Sequence, residues 1–190
     1  MKPLLPDLPD AFVTARLAVR CVRSGDGAKV YEALIDSLDA LRQFPASLPW
    51  ALEAPSLERS EAFCREGFAN FVARRDFRFL ILLRGTDTVA GCCGLHHLDW
   101  SVPAVDIGWW GCTPHLGRGL ISEGVNGLID FAFAHLRVRR VAAFVDDLND
   151  KSARVCERVG MELEDVLRHE RADPDGTLRN TRVYAKVRVR

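Results

Sequence analysis

Apolar residues recur along this chain at two periods, and the switches between them mark its elements. From Arg16 to Val22 they alternate with polar ones (Leu17, Val19, Cys21), the signature of a strand with one buried face. From Lys29 to Leu41 the spacing lengthens to three and four (Val30, Leu34, Leu38, Leu41), which predicts a helix, with Ser24-Gly25-Asp26 as its turn and cap. Phe44–Pro55 holds Pro45, Pro49, Pro55 and Trp50 and reads as an irregular loop. Ser56 then caps a helix running to about Arg74, with Glu58 and Glu61 near its positive end. The apolar strand Phe77–Leu83 turns at Gly85-Thr86-Asp87-Thr88 and returns as Val89–Leu98. Trp100–Pro103 links it to a further apolar strand, Val105–Cys112.

That strand breaks at Thr113-Pro114 and passes through Leu116-Gly117-Arg118-Gly119 into a long helix. Leu120, Ile121, Val125, Leu128, Ile129 and Ala132 make the apolar stripe of this helix. A strand at Arg140–Val145 and a short helix at Asn149–Val159 follow, the helix capped by Asn149 or Asp150 and closed by Gly160. Glu164–Arg171 and Arg179–Val187 form a last hairpin around Pro174-Asp175-Gly176. Residues 1–12 read as a poorly ordered lead-in. The order β-α-α-β-β-β-α-β-α-β-β predicts an α/β chain with a mixed, twisted central sheet of about seven strands flanked by about four helices. No repeat or linker divides it, so residues 1–190 read as one domain.

Composition narrows the function classes. The chain is 48% hydrophobic and 27% charged, with 26 basic and 26 acidic residues. That balance argues against a general nucleic-acid binder, which carries a basic excess. No apolar run reaches the length that spans a bilayer, and the proline-broken, acidic start is unlike a signal peptide. None of Cys21, Cys64, Cys92, Cys93, Cys112 and Cys156 forms a C-x-x-C pair, so zinc spacing is absent and no metal is expected. Free thiols in a reducing cytoplasm are the simplest expectation, most of them small core residues. A nucleophilic role for Cys92, Cys93 or Cys112 lacks an identifiable base partner.

The strand–glycine turn–helix at Val105–Ala132 carries the chemistry. The first N–H groups of a helix have no internal partner and sit at the positive end of its dipole. Glycines there let the backbone approach an anion closely, and Arg118 adds a side-chain donor. Neither G-x-x-x-x-G-K-[ST] nor G-x-G-x-x-G fits, so the common nucleotide patterns are excluded and a diphosphate on another carrier remains. A plain glycine turn is the alternative.

The run Asp106-Ile107-Gly108-Trp109-Trp110, then Gly117, Gly119 and Glu123, then Asn149, Ser152 and Gly160-Met161, resembles the acetyl-CoA-binding motifs of the GNAT superfamily of N-acetyltransferases. More narrowly it resembles the RimJ/RimL-type branch, with its E-I-G-Y-W strand, G-x-G-x-x-x-E turn and N-x-x-S helix. The likeness spans from Thr14-Ala15-Arg16-Leu17 to Asp173–Arg179. It implies the GNAT fold and acetyl transfer from acetyl-CoA to a primary amine by direct attack in a ternary complex. The acceptor would be a protein N-terminal α-amine or a small amine, and the protein a monomer or homodimer.

By the same resemblance, the backbone from Leu116 through Gly117, Arg118 and Gly119 to Leu120 would hold the pyrophosphate. Trp110, Gly111, Cys112 and Thr113 would lie along the pantetheine arm, with one of Trp109 and Trp110 a core aromatic. Asn149 would contact pantetheine, and Ser152 would protonate or stabilise the leaving thiolate. Asp106 would be the base, often acting through water; His96, His97, Asp99 and Glu170 are further candidates. Two positions depart from the family: Pro114 replaces a usual Gln or Arg, and Cys156 stands where many relatives carry a tyrosine acid. They leave open a non-catalytic acyl-CoA-binding module of the same fold. A nucleotide-phosphate binder unrelated to coenzyme A is the third expectation.

Overall fold

Strands this apolar on both faces need helices on both sides, and that requirement sets the architecture. The computed structural model describes residues 7–188. One sheet of eight strands runs in the order β1-β2-β3-β4-β5-β6-β8-β7. The strands are β1 (Ala11–Val13), β2 (Leu17–Cys21), β3 (Phe77–Leu83), β4 (Val89–Asp99), β5 (Ala104–Gly111), β6 (Arg140–Asp146), β7 (Glu162–Ala172) and β8 (Leu178–Val187). The helices are α1 (Gly27–Ile35), α2 (Leu38–Leu41), α3 (Leu57–Val72), α4 (Leu120–Phe131) and α5 (Asp150–Arg158), with 3-10 turns at Pro49–Leu52 and Thr113–His115.

Alternation along β3 and β5 sorts the core into two layers. Phe77, Phe79 and Ile81 with Val105 and Ile107 join Leu128 and Ile129 of α4 and Cys156 of α5 on one face. Leu80, Leu82, Cys92 and Cys112 join Val30 and Ala33 of α1 and Cys64 of α3 on the other. Trp109 packs against the first layer and Trp110 against the second. Neighbouring strand residues face opposite ways, so one tryptophan of the pair becomes core and the other faces the α1–α3 side.

Three expectations need correction. The sheet gains an eighth strand, β1, because Phe12 packs on Phe79 and Phe131 at ring-centroid distances of 6.1 and 5.9 Å. Residues 7–12 of the expected lead-in are therefore partly built in, with Leu8 buried; residues 1–6 of it lie outside the described residues. The helix expected over Lys29–Leu41 breaks at Asp36-Ser37. The buried Ser37 hydroxyl donates to the Ala33 carbonyl at 2.7 Å and accepts the Thr113 N–H at 3.0 Å. This competing bond ends the ladder and raises the α-helix count to five. The cap expected at Asp26 is not made by its side chain, which instead accepts two bonds from Arg20 at 2.6 and 2.7 Å. Glu61 of α3 supplies the cap, accepting the N–H groups of Gly25 and Gly27 at 3.1 Å.

Candidate active site

β5 and β6 are parallel, and they pair only through Ala104–Arg140, Val105–Val141 and Asp106–Ala142. Beyond that point β6 stays with β8 as far as Asp146, while β5 stays with β4 as far as Gly111. Two strands joined at one end and diverging at the other enclose a wedge. The Cys112 N–H is spent on Ala90 of β4 at 2.8 Å. Strand alternation then turns the N–H and C=O groups of Ile107, Trp109 and Gly111 toward the wedge. Cys112 is buried, its thiol against the Ala33 carbonyl, and the Thr113 N–H belongs to Ser37. The main-chain edge available to a ligand is therefore Ile107–Gly111, offset toward the start of the strand from the expected Trp110–Thr113. Trp109, expected as a possible core residue, contributes its backbone there while its ring packs inward.

Each strand of the wedge feeds a helix at its open end. Leu116, Gly117, Arg118 and Gly119 lead from β5 into Leu120 of α4. Gly117 has φ +76° and Gly119 φ +74°, a backbone region costly for any other residue. Gly119 is the N-cap and has no side chain to occupy the first N–H groups. Arg118 is exposed. Arg16 reaches the same turn, donating to the Arg118 carbonyl at 2.9 Å. Glu123, from the first turn of α4, accepts the Thr14 hydroxyl at 2.6 Å, the Arg16 N–H at 2.8 Å and the Arg16 Nε–H at 2.6 Å. Burial would raise the Glu123 carboxyl, but these contacts outweigh it and hold the group below its ordinary value. Two separate parts of the sequence resemblance, Thr14–Leu17 and Glu123, thus meet as one clamp behind the glycine turn.

β6 leads through Asp147-Leu148 into α5. The Asn149 side chain accepts the Ser152 N–H at 3.0 Å, so Asn149 is the cap and Ser152 lies in the first helical turn, half-buried. Asp146 fixes this corner: it is buried, accepts the Leu148 N–H at 3.0 Å and takes Arg179 at 2.6 and 3.0 Å. Parallel neighbours put the start of α4 and of α5 at the same edge of the sheet, where ligands of open α/β sheets bind.

Asp106 stands at the apex of the wedge. Its carboxylate accepts His97 Nδ1–H at 2.9 Å; His97 is largely exposed and holds φ +51° where β4 shifts register. His96 pairs in register with Asp106, so both side chains face the α1–α3 side. Its Nδ1 lies 2.5 Å from Asp76 Oδ1. Asp99 instead binds Ser101 within its own turn, and Glu170 accepts the Thr181 hydroxyl on the far hairpin; neither lines the cavity next to the wedge. That cavity, of about 660 Å³, is bounded by Leu34, Leu38, Trp50, Arg59, Phe63, Glu66, Arg78, His96, Gly108 and Trp110 among others. Burial pushes Cys21, Cys64, Cys92 and Cys156 up to about 12, so they are neutral thiols at ordinary pH. Cys156 is fully buried in the core, and no acid arises there.

A strand pair splayed around a glycine-rich helix start, with a capped second helix beside it, finds its match among known families. Residues 16–162 match the family model described as "Acetyltransferase (GNAT) domain". The chain belongs to the GNAT acetyltransferase family. Among GNAT relatives, the uncharacterized N-acetyltransferase YoaA of Bacillus subtilis is 26% identical over 178 residues, 93% of this chain and 96% of that one. The uncharacterized N-acetyltransferase p20 of Bacillus licheniformis is 34% identical over 91 residues, 48% of this chain; the match spans about half of that relative, 51%. Solved GNAT structures agree in fold. The microcin C7 self immunity acetyltransferase MccE, in complex with acetyl-CoA and AMP, superposes with a TM-score of 0.84 at 19% identity over 95% of this chain and 97% of its own. RimL, the ribosomal L7/L12 alpha-N-protein acetyltransferase in complex with coenzyme A, gives 0.83 at 18% identity over 93% and 96%. Among the described residues no helix is long and apolar enough to cross a membrane, and no cluster of His, Cys, Asp and Glu could hold a metal ion.

Proposed function

We propose that this protein transfers an acetyl group from acetyl-CoA to a primary amine, the donor lying in the β5–β6 wedge and the amine entering from the 660 Å³ cavity. The wedge is the observation that carries this reading. A pantetheine arm is an extended chain of amides, and the unpaired edge at Ile107, Trp109 and Gly111 offers it a ladder. The free N–H groups after Gly117 and Gly119, with Arg118 beside them, suit the diphosphate. Proline at position 114 has no N–H to offer, so Arg118 and the glycine turn carry the anion.

Amide formation from a thioester needs a polarised carbonyl, a neutral amine and a stabilised thiolate. The edge N–H groups of β5 serve the first need. Ser152, in the positive first turn of α5, serves the last: its hydroxyl donates to the leaving sulfur, and Asn149 holds that turn and the pantetheine. Asp106, the carboxylate expected as base, stands at the wedge apex and attracts the incoming ammonium group. No covalent acyl-enzyme is needed.

Acceptor size is set by the cavity. Its volume lies in the range of small-molecule sites and would equally admit the first residues of a peptide. Coenzyme A release measured against N-terminal peptides and small amines side by side tests the proposal. Turnover on either class supports it and assigns the acceptor. Tight acetyl-CoA binding without turnover on any amine would instead assign a non-catalytic acyl-CoA-binding module. A thermal-shift comparison of acetyl-CoA, ATP and NAD separates both from a general nucleotide binder.

A further inference from the structure

The cavity floor carries a side-chain pair that the transfer reaction, as read above, does not use. Asp76, at the head of β3, sits 2.5 Å from His96 Nδ1 and accepts Arg78 Nε–H at 2.8 Å. Arg78 in turn lies over the Phe63 ring, its guanidinium carbon 4.9 Å from the centroid. Burial would raise the Asp76 carboxyl, but its bonds to His96 and Arg78 outweigh that and hold it below its ordinary value. An ionised carboxylate only accepts, so the hydrogen of a neutral His96 sits on Nδ1 and Nε2 is left as the free acceptor.

Nε2 points over two glycines. A Cβ at Gly94 would come within 2.8 Å of it, and one at Gly108 within 3.6 Å. Gly94 also abuts the Phe77 carbonyl, so a side chain there has nowhere to go. The imidazole therefore lies across the middle of β4 and β5, lining the cavity, directly behind the Gly108 segment whose far edge opens on the wedge. Its side chain is 37% exposed, open enough for an amine to reach.

We infer that His96, oriented by Asp76, is the base that takes the proton from the acceptor's ammonium group. The inference rests on the acetyl-transfer reading and names the group that makes the amine neutral. The ammonium gives one proton to His96 Nε2, which later passes it to solvent. The freed nitrogen lone pair forms the C–N bond at the thioester carbonyl. The C–S bond breaks, and the second nitrogen proton reaches the departing sulfur through the Ser152 hydroxyl. Asp106, the register partner of His96 on the same face and tied to His97, attracts the incoming cation. The charged groups beside His96 or lining the same cavity are Asp76 just before β3, Arg78 of β3, Asp106 of β5, His97 of β4, Arg59 and Glu66 of α3, and Glu53 ahead of α3.

The test is the pH profile of kcat for the wild type and for His96→Gln, Asp76→Asn and Asp106→Asn, with acetyl-CoA affinity measured separately. Expected are a wild-type kcat that rises with pH and a loss of about 100-fold in H96Q, the scale of general-base catalysis. The acidic limb should vanish in H96Q, with acetyl-CoA affinity within twofold of wild type. D76N should keep a weaker limb, because the ring stays but loses its orienting partner. Added imidazole should restore part of the turnover of His96→Ala. An H96Q enzyme with the wild-type limb and rate overturns the inference while leaving acetyl transfer standing. So does a limb lost only in D106N, which would make that carboxylate the base. A wild type that turns over no amine counts against both.

Discussion

At the residue scale, the proposed site divides into groups that would bind and groups that would move protons, and the two should separate in kinetics. Ser152→Ala should lower kcat by about 100-fold, the scale of a proton-transfer group, with the acetyl-CoA dissociation constant within threefold. Unchanged turnover would retire that role. Arg118→Ala should do the reverse, weakening acetyl-CoA binding by about tenfold, the worth of roughly 1.4 kcal/mol, with little change in kcat at saturation. Stopped-flow or calorimetric binding beside steady-state rates reads both. Gly117 and Gly119 were legible from sequence because their positive φ leaves glycine as the low-cost choice. So was Asn149, a capping residue ahead of its helix. The His96–Asp76 pair was not: its partners are 20 residues apart, and its aim depends on empty space at Gly94 and Gly108. Glu123 was visible as a motif position, but its hold on Thr14 and Arg16 joins residues over 100 apart.

At the element scale, the ends of helices decide what the elements can do. The Gly119 cap leaves the start of α4 open, and alanine there would hold φ +74° at a cost of about 1 kcal/mol. Gly119→Ala should therefore lower the melting temperature modestly and weaken acetyl-CoA binding more than its stability loss explains; equal binding would argue against the turn as the anion site. The entry to α1 depends on a buried pair instead. Asp26 is 4% exposed; burial would raise its carboxyl, but Arg20 and the Arg23 N–H outweigh that and hold it below its ordinary value. A carboxyl lowered in the fold stabilises the protein above its unfolded pKa, near 3.9, and that contribution disappears as pH falls through the folded value. Urea midpoints should accordingly drop below about pH 4. Asp26→Asn should be less stable at neutral pH by about 3 kcal/mol and flatter across that window. A wild-type midpoint independent of pH there would contradict the assignment. Periodicity found β2 to β8 and the long helices, since each buries one regular face. It missed the break after α1, because a serine bonding back to Ala33 leaves the apolar spacing of Val30, Leu34, Leu38 and Leu41 intact. It also missed β1, whose three residues are too few to show alternation.

At the scale of the whole molecule, the proposed function follows from one early parting of neighbouring strands. Among the described residues seven neighbouring pairs hold eight strands together, and of these only β5–β6 is parallel, letting go after three residues. The opening receives two helix starts from one side and meets the 660 Å³ cavity on the other. Donor and acceptor can then approach the same point from opposite faces of β5. The order of elements made the mixed sheet legible; the wedge was not, because strand divergence leaves no mark on hydrophobic spacing. A crystal structure of the protein with coenzyme A is the most direct test. It should place the diphosphate against the backbone N–H groups between Gly117 and Leu120, and the pantetheine amides along Ile107–Gly111, with the sulfur near Ser152. Coenzyme A bound away from the wedge, or a wedge closed by β5–β6 hydrogen bonds, would contradict it.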